Sequence, residues 1–145
     1  MPGEQLRFRH ALALFRDPVL KARTLQYATS PEIRKQDVGP FLAQILSNPD
    51  SQETAWDYVK ANWESIEQSL DVFQGLPVVV RATGNFCSAP ARDDVRQFFE
   101  SHRVRGTERA AQQALESIDT CITLRSQQGQ RLSQFLRSVP ARTGN

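Results

Sequence analysis

The fold of this chain of 145 residues is decided by residues 30–70, which read SPEIRKQDVGPFLAQILSNPDSQETAWDYVKANWESIEQSL. The second half of this stretch carries large apolar side chains three or four residues apart, at Trp56, Val59, Trp63, Ile66 and Leu70. Such spacing is typical of an amphipathic helix with one apolar stripe. Asp50 and Glu53 form a pair that resembles a capping box and predicts where this helix begins. We therefore predict one long helix with both tryptophans on its buried face.

The first half of the same stretch predicts two shorter helices. Ser30–Pro31 is typical of an N-cap followed by proline at the first helical position, so a helix is predicted over residues 31–36. The Gly39–Pro40 dipeptide then predicts a break, because a proline inside a helix removes a backbone hydrogen bond and clashes with the preceding turn. A second short helix is predicted over residues 39–47.

The rest of the chain also predicts helices separated by short breaks. They are expected at about residues 4–15, 18–28, 76–84, 88–102 and 108–125, with a last short helix after a break at Gln127–Gly129. The 76–84 segment, LPVVVRATG, is predicted to be helical despite its valines, because a single strand would leave its backbone groups unpaired. The residues predict an all-α domain over 1–139, as an α-solenoid or a globular bundle, and a disordered tail over 140–145.

Four segments together resemble one protein family. They are EIRKQD at 32–37, AWDYVKANWESI at 55–66, FCSAPARDDVRQFFESH at 86–102 and ERAAQQALESIDTCITLRSQQGQRLSQFL at 108–136. In this order they resemble the C-terminal helical region of zinc aminopeptidases related to aminopeptidase N, puromycin-sensitive aminopeptidase and the endoplasmic-reticulum aminopeptidases. The resemblance covers about residues 4–137.

The resemblance implies both a fold and a role. The implied fold is an armadillo- or HEAT-like superhelix of antiparallel helix pairs. The implied role is a non-catalytic domain that closes the cavity of a zinc aminopeptidase and contacts the distal part of its peptide substrate. The implied partners are the catalytic domain of the same polypeptide and the peptide. A stand-alone α-solenoid that binds a partner protein along its concave face stays open as an alternative.

Charge is distributed unevenly along the chain. Residues 76–145 contain ten arginines and six acidic residues but no lysine. These arginines are spread singly along predicted helices without interleaved aromatic residues, so nucleic-acid binding is not predicted. No apolar run approaches the roughly 20 residues that span a bilayer, so no membrane segment is expected. The compartment of the parent protein stays open.

Catalytic chemistry is not predicted within this chain. Zinc aminopeptidases need two histidines one helical turn apart in an H-E-x-x-H motif, whereas His10 and His102 are isolated from each other. We therefore expect no catalytic residue, metal ligand or cofactor here, and expect zinc in the parent's catalytic domain only. Cys87 and Cys121 are not in a C-x-x-C motif and are expected to be free thiols, although a disulfide stays open.

Substrate binding is predicted at four arginines in the basic half of the chain, Arg81, Arg92, Arg96 and Arg109. They lie near the ends of predicted helices. The guanidinium fork of arginine also matches the geometry of a carboxylate such as the C-terminus of a peptide.

Seven further residues are predicted to have structural roles, namely Arg34, Asp37, Trp56, Asn62, Trp63, Phe98 and Phe99. Asp37 is expected to cap the following helix and to pair with Arg34. Asn62 is expected to make a hydrogen bond between helices. The four aromatic residues are expected in the core.

Overall fold

The computed structural model describes residues 2–70 and 75–139, and for residues 2, 3, 5 and 6 it describes only the backbone. All regular secondary structure in the described residues is helical. The helices are α1 (Pro2–Leu12), α2 (Pro18–Ala28), α3 (Lys35–Ser47), α4 (Gln52–Ala61), α5 (Trp63–Ser69), α6 (Gly75–Ala82), α7 (Ala89–Ser101) and α8 (Glu108–Ser138). A short 3₁₀ turn, Thr83–Asn85, follows α6. The all-α prediction is confirmed, and the solenoid stays a prediction. The predicted tail at 140–145 lies outside the described residues.

Two helices begin at residues whose side chains cap them. Asp17 Oδ1 accepts hydrogen bonds from the amides of Val19 and Leu20 at 2.9 and 3.0 Å, at the start of α2. Ser88 Oγ accepts a hydrogen bond from the amide of Ala91 at 3.4 Å, at the start of α7. These bonds satisfy amides that every helix N-terminus leaves without an intrahelical partner.

The predicted helix at residues 31–36 is wrong, and so is the predicted break at Gly39–Pro40. A turn follows α2, in which the amide of Ile33 bonds to the carbonyl of Ser30 at 3.1 Å. Helix α3 then runs unbroken from Lys35 and carries Pro40 inside it. The proline removes one backbone hydrogen bond, but the buried face of α3 packs closely on α6 and keeps the helix intact.

The close packing of α3 on α6 depends on Gly39. A Cβ atom on Gly39 would lie 2.6 Å from the carbonyl oxygen of Gly75, which is closer than two such atoms can approach. Glycine is therefore required at residue 39 by the distance between the two backbones. This contact holds α6, the helix that carries Arg81, against α3.

The predicted tryptophan helix is two helices, α4 and α5, that meet at Asn62. Both the backbone amide and the side-chain amide of Asn62 donate to the carbonyl of Tyr58, at 3.0 and 2.8 Å. Asn62 thus ends α4 by bonding a carbonyl of α4 itself, so the prediction of a bond between packed helices is wrong. The capping box is wrong as well, because the Asp50 carboxylate accepts from Arg16 Nε at 2.8 Å and α4 starts at Gln52.

The aromatic core is where the sequence predicted it. Trp56 and Trp63 are only 3% and 5% exposed. Both pack against Phe98 and Phe99 of α7, with ring centroids 5.0–5.7 Å apart. The near-perpendicular rings that Phe98 presents to both tryptophans are a favourable aromatic geometry. We refer to these four residues as the aromatic core.

Helix α8 continues through the break that was predicted at Gln127–Gly129, so that prediction is wrong. A Cβ atom on Gly129 would meet nothing within 4 Å. One exposed glycine costs a helix only about 1 kcal/mol, which is not enough to end it. The buried residues of α8 are confined to its first part, and residues 123–138 include no buried side chain.

Candidate functional site

An open cleft of about 760 Å³ lies between the end of α6 and the middle of α8. Arg81 of α6 lines one side, and α8 contributes Gln113, Glu116, Ser117 and Thr120. Residues three and four positions apart lie on one face of a helix, so the four α8 side chains form a continuous polar strip. The α6–α8 cleft is therefore a polar surface groove with a cation at its edge.

Tight packing positions the two walls of this cleft. A Cβ atom on Gly84 would lie 3.0 Å from the Cα of Ala114, so the 3₁₀ turn after α6 lies directly against α8. Thr83 is fully buried, and its hydroxyl donates to the carbonyl of Val80 at 2.7 Å. Because these contacts hold the end of α6 against α8, the position of Arg81 relative to the polar strip is well defined.

Arg81 is exposed, and its Nε donates to the neutral side-chain oxygen of Gln113 at 3.3 Å. Arg109 lies one helical turn before Gln113 on α8 and is also exposed. Within the described residues, neither arginine makes an ion pair with a carboxylate. Two uncompensated guanidinium groups thus lie on or next to the strip.

Arg92 and Arg96 are held differently. Arg92 donates to Asp93 Oδ1 and to Asp119 Oδ1, both at 3.0 Å, and so links α7 to α8. These hydrogen bonds raise the pKa of Arg92. Arg96 Nη1 lies 3.7 Å from Asp93 Oδ1. The structure therefore places two of the four predicted arginines at or near the cleft and pairs the other two with aspartates.

Neither a grouped set of metal ligands nor a membrane-spanning helix is found among the residues that the structure describes. Among them, no three histidine, cysteine or acidic side chains are grouped so as to hold a metal ion. No described helix combines the length and the apolar composition that crossing a bilayer requires. What distinguishes the α6–α8 cleft is its hydrogen-bonding side chains and its arginines.

Comparison with known families adds a decisive observation. The model of the ERAP1-like C-terminal domain matches residues 2–120. This chain belongs to the ERAP1-like C-terminal domain family. The resemblance seen in the sequence is thereby confirmed.

Individual relatives of this ERAP1-like domain carry aminopeptidase names. Aminopeptidase 2, mitochondrial, of Saccharomyces cerevisiae is 26% identical over 117 residues, which are 79% of this chain and 12% of the yeast protein. Aminopeptidase N of Canis lupus familiaris is 29% identical over 141 residues, 93% of this chain and 14% of the dog protein. Endoplasmic reticulum aminopeptidase 1 of Rattus norvegicus is 28% identical over 120 residues, 80% and 13% of the two chains. The chain thus spans about one eighth of the length of these relatives.

The predicted pair of Arg34 and Asp37 is confirmed in this ERAP1-like domain, with Nε and Oδ2 at 2.8 Å. The predicted capping role of Asp37 is not confirmed, because Asp37 lies in the first turn of α3 rather than before a helix. Asp37 Oδ2 also contacts Arg9 Nη1 at 2.9 Å. Burial raises the pKa of Asp37, but the hydrogen bonds from the two arginines outweigh it and leave the pKa below its usual range.

Sequence reasoning missed Asp94, which supports the aromatic core of the ERAP1-like domain. Asp94 Oδ2 accepts from Trp56 Nε1 at 2.7 Å and from Lys60 Nζ at 2.8 Å. Burial raises the pKa of Asp94, but the bonds from Lys60 and Trp56 outweigh it and lower the pKa. The sequence contained one signal for this acceptor. Trp56 and Lys60 are four residues apart, so their side chains lie on one helical face and can donate to the same acceptor.

The expectation of two free thiols is wrong. Cys87 and Cys121 form a disulfide, with Cα atoms 5.3 Å apart across 34 residues of sequence. Cys87 lies just before α7, and Cys121 lies on α8. Their spacing in the sequence carries no signal for this pairing, because it depends on how α7 packs against α8.

Proposed function

We propose that this chain is the C-terminal part of an aminopeptidase that removes N-terminal residues from peptides. In this proposal the domain closes the substrate cavity and contacts the distal part of the peptide. Zinc bound in the parent's catalytic domain would supply the activated water. The proposal is supported by membership of the ERAP1-like family and by the small share of its aminopeptidase-named relatives that the chain spans.

The N-terminal helix pair offers a surface for the rest of such a polypeptide. Phe8, Leu14 and Val19 are 66–70% exposed. Next to them, an apolar groove of about 380 Å³ is lined by residues of α1, α2 and the segment between them, Leu12, Phe15, Leu20, Arg23, Thr24 and Tyr27. Exposed apolar patches of this kind mark surfaces that another element covers. We propose that other helices of the same polypeptide cover this one.

Arg81 carries the peptide-binding part of the proposal. Its guanidinium group is exposed beside a polar cleft and bonds only a neutral amide among the described residues. A carboxylate could replace that amide and form a stronger, charge-assisted bond. Arg109 lies on the same face of α8 as the cleft residues and could contact the same ligand.

Arg92 and Arg96 have a secondary place in this proposal. Their guanidinium groups already contact Asp93, and Arg92 also contacts Asp119. A peptide carboxylate would have to displace these partners first. Arg92 is therefore a useful comparison for Arg81, because the two side chains have equal charge but different local pairing.

The test compares the parent aminopeptidase with its Arg81→Ala and Arg109→Ala variants. The substrates are a ten-residue peptide, the same peptide with a C-terminal amide, and a small aminoacyl reporter. We expect kcat/KM for the peptide acid to fall about tenfold in Arg81→Ala, which corresponds to about 1.4 kcal/mol. The reporter should be unaffected, because it does not reach the cleft.

Arg125→Ala is the matched control, because Arg125 is an exposed arginine on a different face of α8. This substitution should leave kcat/KM unchanged for both the peptide acid and the peptide amide. Equal kcat/KM values for acid and amide in the wild-type enzyme would remove carboxylate recognition and leave the domain as a steric cap. If Arg81→Ala lowered kcat/KM for the reporter as much as for the peptide, the substitution would act on folding or on the chemical step and not on peptide binding.

A further inference from the structure

Two bonds fasten the start of α7 to the middle of α8, and we refer to this contact as the α7–α8 seam. One is the disulfide between Cys87 and Cys121. The other is the ion pair between Arg92 and Asp119, whose nitrogen and oxygen atoms are 3.0 Å apart. Their α8 residues, Asp119 and Cys121, are two positions apart in the sequence. The seam thus consists of these four residues.

These two bonds differ in strength. The side chain of Asp119 is 50% exposed, and surface ion pairs contribute little to stability because water competes for both charges. The disulfide is covalent and closes a long segment of chain, which restrains the two helices far more strongly. The integrity of the seam therefore depends mainly on the two sulfur atoms.

The disulfide lies where α8 leaves the body of the domain. Before it, Ala110, Ala114 and Ile118 are buried, whereas residues 123–138 include no buried side chain. Both cysteine residues are partly exposed rather than buried in the core. Opening this bond would remove the covalent link between α8 and the segment that leads into α7.

We propose that the Cys87–Cys121 disulfide is a redox-controlled latch on the α7–α8 seam. The reductant is a dithiol. Its first thiolate attacks one cysteine sulfur, which breaks the Cys87–Cys121 bond, releases the other cysteine as a thiolate and forms a mixed disulfide. Its second thiolate then attacks the dithiol's own sulfur in the mixed disulfide and releases the remaining cysteine as a thiolate. Two electrons and two protons pass to Cys87 and Cys121, which become thiols, while the dithiol becomes a disulfide.

Opening the latch also affects the α6–α8 cleft. Thr120 lines the cleft and directly precedes Cys121 in the sequence. A looser α8 would shift this end of the polar strip. This consequence for peptide binding rests on the proposed function, whereas the opening of the seam itself does not.

The test is hydrogen exchange measured by mass spectrometry on the full chain, with and without dithiothreitol as the dithiol. We expect backbone exchange to become at least tenfold faster in residues 86–92 and 118–125 after reduction. Residues 41–46 of α3 should be unchanged, because four of the six are buried and α3 carries no residue of the seam. The double variant Cys87→Ser/Cys121→Ser should exchange fast at the seam with or without dithiothreitol.

Two controls keep the result interpretable. Arg92→Gln in the oxidised chain should leave exchange at the seam unchanged, because the disulfide still holds it. Alkylation before reduction should add no group to the chain, and alkylation after reduction should add two, one on each cysteine. If the double variant does not fold, reduction of the folded wild-type chain still gives the answer.

Three results would overturn the latch. One is two alkylated thiols in the chain before reduction. Another is unchanged exchange at the seam after complete reduction. The third is equal acceleration in α3 and at the seam, which would make the disulfide a general support of the fold. None of these results bears on the carboxylate test of Arg81, so the two proposals fail separately.

Discussion

The aromatic core and the α6–α8 cleft are both formed where helices pack side by side, but they use the side chains of those helices in opposite ways. In the core, Trp56, Trp63 and Phe98 are almost wholly buried and contact one another. In the cleft, Arg81 and Gln113 remain open to solvent. A buried apolar side chain contributes through area removed from water, whereas an exposed charge contributes according to the partner it finds. The core should therefore determine stability, and the cleft should determine recognition.

The largest expected effect is that of Trp63→Ala. It should lower the free energy of unfolding by about 3–5 kcal/mol, because it removes a large buried side chain and leaves a cavity. The measurement is the midpoint of urea unfolding. Phe135→Ala is the control, because Phe135 is 63% exposed and its loss should have little effect. An unchanged midpoint for Trp63→Ala would mean that the core does not dominate stability.

Asp94→Ala should have an intermediate effect, about 1–3 kcal/mol at neutral pH, because it leaves the buried Nε1 of Trp56 without an acceptor. The lowered pKa of Asp94 gives the pH dependence. Because the pKa of Asp94 is lower in the folded chain than in the unfolded chain, the ionised carboxylate stabilises the fold above the unfolded pKa of about 3.9. This contribution is lost as the pH falls through the pKa of Asp94 in the folded chain. The stability difference between wild type and variant should therefore narrow below about pH 4.

Asp57→Ala is the control for this measurement. Asp57 contacts the same Lys60, at 3.2 Å, but its side chain is 76% exposed. Its removal should cost at most about 1 kcal/mol. An equal loss in both variants would assign the effect to the charge of Lys60 rather than to the Trp56 hydrogen bond.

Arg81→Ala should have the smallest effect on stability, within about 0.5 kcal/mol, because Arg81 is exposed and bonds a single neutral partner. Thermal or urea unfolding of the variant would measure it. A loss above about 1 kcal/mol would blur the contrast with the core, since Arg81 would then have a structural role as well.

Local pattern alone was sufficient for much of the fold. The spacing of apolar residues predicted that Trp56 and Trp63 are buried, and the helices predicted at about 18–28 and 88–102 match α2 and α7. The helix at α6 was predicted despite its three valines, because an unpaired strand could not satisfy its backbone. Each of these predictions depends on residues within one or two helical turns, whereas the contacts of the two tryptophans with Phe98 and Phe99 join distant segments.

Only the tertiary structure decided how distant segments meet. The packing of α3 on α6 overrode the break expected at Pro40, and the approach of α7 to α8 joined Cys87 to Cys121. The partners of Asp94, and the Asp119 partner of Arg92, lie 27–38 residues away. Hydrophobic periodicity records which face of a helix is buried but not which helix covers it. For that reason the sequence determined the family and the core, while the placement of the charges and the disulfide was decided by the packing of the helices.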